Sequence, residues 1–235
     1  MDLYSFKDRL HYFLFGVPLC QPRVGSHSAI LPDYIRRTKI LYIHIPKAGG
    51  SSISMGLYGR QVGHRTFREW EGEFGPIVRD LTTFSVLREP LSRFVSAFWF
   101  LKGGGMNHVD AEFATTYLSK YDNPGELASN LLDPTVQGNI LKYYHFKPQY
   151  EFICDTDFDL SIDYLIPLSN LQAGLETMFE AKGFRFDVPR LNEGTGSRVP
   201  NTEIQGEALD ILKLIYRDDF YTYELISSQS YSSGI

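Results

Sequence analysis

The apolar positions of the chain fall into two periods. Residues 40–45, ILYIHI, are apolar almost throughout and rich in β-branched side chains, the pattern of a strand covered on both faces. Residues 81–87, LTTFSVL, read as a second strand, and residues 150–154 and 164–168 as two shorter ones. Elsewhere apolar residues recur at helical spacing. Phe94, Val95, Phe98 and Leu101 make one such face, and Leu171, Leu175, Met178 and Phe179 another. Ile204, Ala208, Ile211, Leu212 and Ile215 give the face of a last long helix, which Thr202 and Gln205 would open as a capping box. Residues 110–143 read as helix in pieces, broken at Asn123-Pro124 and Asp133-Pro134. Residues 1–38 form a lead-in with Pro18, Pro22 and Pro32 as breakers. Within it Tyr4, Phe6, Leu10, Phe13 and Leu14 suggest a short amphipathic helix. Strands separated by helix-length segments predict a parallel sheet with crossover helices.

The polar residues at the strand exits carry the chemistry. Pro46 stops the first strand, and Lys47, Ala48, Gly49, Gly50, Ser51 and Ser52 follow as a turn that small residues allow. Glycine lets an anion approach the main chain closely, and Ser51 or Ser52 can cap the helix that comes next. A strand, a Gly-rich turn and a helix start together make a cradle of N–H groups for an anion, with the Lys47 charge beside it. The turn is not a Walker A loop, because Lys47 precedes the glycines rather than following them. The competing reading is a plain βα connection with a solvent-facing Lys. The second strand ends in Arg88, with Pro90 at a favoured first helical position. Arg88 and Ser96, two turns into that helix, can hold a second anion, the Arg by charge-assisted contacts. A structural ion pair of Arg88 is the alternative.

Together the two segments resemble the sulfotransferases that use 3′-phosphoadenosine 5′-phosphosulfate, most closely the carbohydrate branch that includes heparan sulfate 2-O-sulfotransferase. PKAGGSS at 46–52 is similar to the family's turn for the 5′-phosphosulfate. REPLSRFVS at 88–96 is similar to its strand–helix motif for the 3′-phosphate. The resemblance runs from about residue 40 to 225 with gaps in 103–145, and Pro148-Gln149 and Asn170-Leu171 also fit it. It implies a P-loop-like three-layer α/β/α sandwich with a central parallel sheet of four or five strands, as a single domain over 1–235 with its core at 40–225. It implies donor contacts from Lys47, Ala48, Gly49, Gly50, Ser51, Ser52, Arg88 and Ser96, a catalytic Lys47 and no metal. It also carries over Gly196 and Arg198 from the polar loop LNEGTGSR, where the family closes a basic segment over the nucleotide.

An alcohol acceptor must lose a proton as it attacks, and a neutral imidazole is a natural base near pH 7. Gly63-His64 is similar to a G-H pair of the glycan branch whose His is the base, with Glu69 as a possible partner. A surface His is the competing reading. His44 lies inside a strand, and His108 and His145 are the rivals. Tyr143, Tyr144, His145 and Lys147 either line a sugar site or pack in the core. Gly103, Gly104 and Gly105 end the Arg88 helix as a lid hinge or a plain C-cap.

Composition adds bounds. The 235 residues suit one α/β domain, and 43% apolar with 22% charged is ordinary for a globular chain. The formal charge of −5 argues against a general nucleic-acid binder. Two cysteines, Cys20 and Cys154, allow one disulfide at most, and Cys154 reads as a buried thiol. No segment is long and apolar enough for a membrane span, and no Cys/His group has metal-ligand spacing. Animal Golgi relatives carry an N-terminal anchor. The expectation is therefore a cytoplasmic protein of bacterial or viral origin, or a trimmed Golgi enzyme. The expected partner is a carbohydrate or another hydroxyl-bearing acceptor. Two further functions stay open: a P-loop-like kinase using ATP, and a nucleotide-binding protein without catalysis.

Overall fold

The computed structural model describes residues 29–183 and 204–229. Its centre is a parallel sheet in which three described strands stand in the order β1 (Ile40–Ile43), β2 (Thr82–Leu87), β3 (Tyr164–Pro167). Tyr42 pairs with Phe84, and Phe84 with Tyr164. All four residues of β1 are buried, as its unbroken apolar run predicts.

Alternation along the strands feeds two cores. Leu41, Ile43 and Leu87 face one side, with Phe67, Trp70 and Phe74 of helix α3 (Phe67–Phe74) and Phe152 and Ile153. Ile40, Tyr42, Phe84, Val86 and Ile166 face the other. There they meet Ile53 of α2 (Gly50–Tyr58) and the Leu171, Leu175, Met178 and Phe179 stripe of α9 (Leu171–Ala181). Helices on both faces make the three-layer α/β/α sandwich that the resemblance implies. The sheet has three strands among the described residues rather than four or five. Before β1 lies α1 (Asp33–Thr38).

A third core is wholly helical. It joins α4 (Pro90–Lys102) to α5 (His108–Phe113), α6 (Pro124–Ser129), α7 (Pro134–Leu141) and α10 (Glu207–Ile215). The breaks at Asn123-Pro124 and Asp133-Pro134 fall where expected. Each Asn or Asp caps the first turn, and each Pro takes the first helical position. Ala208, Ile211, Leu212 and Ile215 of the last apolar stripe belong to α10, which starts only after its N-cap Gly206, so buried Ile204 precedes it; a separate helix, α11 (Arg217–Gln229), follows.

Residues 150–154 depart from expectation. They form not a strand but a helical turn, α8 (Tyr150–Ile153), with Cys154 in an isolated antiparallel bridge to Leu160. Four apolar residues are too few for periodicity to separate strand from helix. A distant side chain decides: the buried Asp219 carboxylate accepts from the N–H of Gln149 and of Tyr150, each at 2.8 Å. It thus places a negative group at the helix N-terminus. Cys154 is a buried free thiol, and burial pushes its pKa up to about 12. The helix expected within 1–28, the loop 191–198 with Gly196 and Arg198, and the capping residue Thr202 lie outside the described residues.

Candidate active site

The carboxyl ends of all three strands open on one cavity of about 860 Å³, within the range of small-molecule sites. The exit of β1 supplies Lys47, Gly49, Gly50, Ser51 and Ser52. The exit of β2 supplies Arg88, with Ser96 and Phe100 from α4, and the exit of β3 supplies Leu168 and Ser169. Ala48, also expected here, is fully buried beneath the turn.

The turn after β1 is held in an unusual conformation. Lys47 has a φ of 65° and Gly49 one of 77°, both in the left-handed region. For a Lys this costs roughly 1–3 kcal/mol and persists only where surrounding contacts fix it. Two guanidinium groups from α4 and its approach do so. Arg93 Nε donates to the Pro46 carbonyl at 3.0 Å, and Arg88 Nη1 to the Lys47 carbonyl at 3.2 Å. Gly49, not Ser51 or Ser52, is the N-cap of α2, and no side chain caps that helix. Gly49, Gly50, Ser51 and Ser52 thus line the cavity at a helix start without a side-chain cap, the arrangement that suits an anion.

Gly50 sits against the strand below. A Cβ there would run into the His44 ring and lie 2.5 Å from the Tyr42 hydroxyl. The Lys47 ammonium lies 3.7 Å above the Phe100 ring, an electrostatic contact that a cation favours. Burial, reinforced by Arg88, lowers its pKa to about 8, with Asp110 acting the other way.

Besides the Lys47 carbonyl, two neighbours aim Arg88. Its Nε donates to Ser92 Oγ at 3.0 Å. Its backbone N–H and carbonyl are clasped by the fully buried Gln149 side chain, at 3.0 and 2.8 Å. Burial lowers its pKa, but a guanidinium stays charged at any physiological pH.

His64 lies in the same wall. Its Nδ1 is 3.0 Å from the carbonyl oxygen of His44. A carbonyl only accepts, so Nδ1 carries the proton and Nε2 carries the lone pair. Burial lowers the His64 pKa, keeping the ring neutral at pH 7. Its ring stacks on Tyr144 at 5.3 Å. Glu69, expected as its partner, is instead occupied by Thr66. It accepts from the Thr66 N–H at 2.7 Å and closes a capping box on α3. A carboxylate three residues into a helix reaches back to its own N-cap more readily than out to a neighbouring loop. His44 also lines the cavity, but its Nδ1 is tied to the Val62 carbonyl at 3.1 Å and burial lowers its pKa to about 4. His145 is in the wall too, whereas His108 is exposed at the start of α5.

These contacts bring together, at one sheet edge, two cations, an uncapped helix start and a neutral imidazole. The sequence model of the sulfotransferase family matches residues 33–225. The chain belongs to the sulfotransferase family. No curated protein matches it, and no solved structure does. The family match covers both strand exits, and membership implies a transferase acting on a hydroxyl-bearing acceptor. Among the described residues no helix is long and apolar enough to cross a membrane, and no cluster of His, Cys, Asp or Glu suits a metal ion.

Four groups of this sulfotransferase were not singled out from the sequence. Phe100 lies off the apolar face Phe94, Val95, Phe98 and Leu101, and Arg93 carries no motif of its own. Gln149 fits only as part of a pattern. Asp110 carries no signal of its own, because its partners Tyr143 and Tyr144 lie more than thirty residues on.

Proposed function

We propose that this sulfotransferase moves the sulfuryl group of 3′-phosphoadenosine 5′-phosphosulfate to a hydroxyl of a carbohydrate, as in the glycan branch, and releases adenosine 3′,5′-bisphosphate. One observation carries the reading. The Lys47 turn and the Arg88–Ser96 helix line a single cavity, with the Arg88 guanidinium touching the Lys47 carbonyl. A nucleotide anionic at both its 5′ and 3′ sides needs two such grips within one cavity. The glycine turn, packed down onto His44 and Tyr42 by the absence of a side chain at position 50, and the helix start without a side-chain cap suit a phosphate-sized oxyanion.

In this reading Gly49, Gly50, Ser51 and Ser52 bind the 5′-phosphosulfate through backbone and hydroxyl donors. Arg88 and Ser96 bind the 3′-phosphate and so select this donor over ATP. The donor supplies an activated sulfuryl group. The acceptor oxygen attacks sulfur in line as the bond to the bridging phosphate oxygen breaks. Lys47 neutralises the charge that grows on that oxygen, the role cations take in phosphoryl transfer. His64 Nε2 takes the acceptor proton, worth roughly 10²–10⁴-fold.

Calorimetric titration with adenosine 3′,5′-bisphosphate and with ATP tests the donor site. The first should bind and the second should bind far more weakly. A preference for ATP would replace this reading with a kinase. An acceptor screen with radiolabelled donor tests the transfer, and binding of the bisphosphate without any sulfated product would leave a nucleotide-binding protein.

A further inference from the structure

Asp110, the third residue of α5, is a buried carboxylate that none of the steps above uses. It is 1% exposed. It accepts hydrogen bonds from the Tyr143 hydroxyl, from the Tyr144 hydroxyl at 2.8 Å and from the Met106 N–H at 2.8 Å. Its Oδ1 is also 3.6 Å from His145 Nε2. Gly105, at a φ of 64°, folds the loop so closely over it that a Cβ there would collide with the carboxylate. One side chain thus ties the Gly103–Gly105 turn to the Tyr143–His145 segment. Tyr144, held by Asp110, is the ring on which His64 stacks.

The charges around His64 make this placement consequential. Lys47 from the β1 exit and Arg93 from α4 are cations, and His44 and His145 are neutral rings packed near it. When His64 takes a proton, a new cation forms in a buried wall that already holds two. Asp110 is the one carboxylate acting on His64 among the described residues, and it acts on Lys47 and His145 as well.

Resting on the sulfotransferase reading, we infer that Asp110 is a positioning residue. It holds the Tyr144 ring against His64 and serves as the common counter-charge for Lys47 and for the imidazolium that His64 becomes as it accepts the acceptor proton. The carboxylate stays ionised to do so. Burial opposes ionisation, but the two tyrosine hydroxyls, the Met106 N–H and His145 hold its pKa below the ordinary value of 3.8.

The test is Asp110→Asn, nearly isosteric and still able to accept from both tyrosines. Loss of the charge should move both limbs of the kcat/KM pH profile to lower pH, by roughly one unit each, and lower kcat about tenfold. Tyr143→Phe, which removes one hydrogen bond and keeps the charge, should leave both limbs in place. Unmoved limbs in Asp110→Asn, or equal shifts in Tyr143→Phe, would overturn the assignment. The His64 imidazole, followed by NMR without substrate, tests the same pairing independently of turnover. Its midpoint should fall in Asp110→Asn. A fall there with no sulfated product from any acceptor keeps the electrostatic pairing and rejects the transfer reading. Should Asp110→Asn not fold, carbon NMR of the wild-type carboxyl decides, since titration above 3.8 refutes an ionised counter-charge.

Discussion

The guanidinium of Arg88 donates to the backbone carbonyl of Lys47 at 3.2 Å across two neighbouring strand exits. That contact puts both proposed donor-binding cations on the same side of the sheet, within reach of one nucleotide. It also makes the two residues mechanically dependent. Arg88→Ala should raise the donor KM by roughly tenfold to a hundredfold, the worth of a charge-assisted hydrogen bond, with a smaller effect on kcat. Arg88→Lys should not restore it, because an ammonium cannot span both Ser92 and the Lys47 carbonyl. Lys47→Ala should show the opposite split, with kcat down roughly 10²–10³-fold and donor affinity less changed. Steady-state kinetics with varied donor separates the two, and identical splits would remove the assigned roles.

Gly50 is the position where the turn comes nearest the sheet. A methyl group there meets the His44 ring, just past the first strand, and the Tyr42 hydroxyl within it, both buried and unable to retreat. Gly50→Ala should therefore cost about 1–3 kcal/mol and lift the turn away from its anion-binding geometry. Urea unfolding reads the first effect, and bisphosphate titration calorimetry the second. Full donor affinity in a destabilised variant would show that the turn does not hold the anion.

The fold was legible where local pattern and burial agree. The apolar runs at 40–43 and 82–87 are strands because they are covered on both faces, and the Asn-Pro and Asp-Pro pairs open new helices by their own backbone chemistry. Both strand exits were legible for the same reason, since turn and helix start follow each strand directly in sequence. What escaped depends on distant partners. Asp219 makes residues 150–153 helical from some seventy positions away. Glu69 is drawn to its own helix cap rather than to His64. Asp110 meets its tyrosines only because the helices between them pack together.

The two titrating groups of the mechanism set opposite limbs of a pH profile. His64 must be neutral to take a proton, and burial lowers its pKa from the ordinary 6.5. Activity should therefore rise through a midpoint below 6.5. Lys47 must be charged, and its pKa is lowered to about 8, so activity should fall as the pH rises through about 8. The kcat/KM profile reports the free enzyme and should be bell-shaped between these limits. His64→Gln should lose the acid limb along with most of the rate. Retention of that limb would move the base to another group, with His145 first to be tested.

Asp219 connects stability to the site from below. Its carboxylate is 1% exposed and accepts from the N–H groups of Gln149 and Tyr150, while the Gln149 side chain clasps the backbone of Arg88. Removing the carboxylate orphans two buried N–H donors, at about 1–3 kcal/mol each. Asp219→Ala should accordingly lower the unfolding free energy by several kcal/mol and raise the donor KM through the loosened Gln149. Gln149→Leu should reproduce the second effect with less of the first. Burial also pushes the Asp219 pKa up to about 6. The folded chain then binds this proton more tightly than the unfolded one. Its contribution to stability is fully present below the ordinary 3.8 and is lost as the pH rises through about 6. Urea midpoints from about pH 4 to 7 should therefore decline more steeply in the parent than in Asp219→Asn, which cannot titrate. Parallel curves would mean that Asp219 is ionised throughout, its two N–H donors outweighing burial.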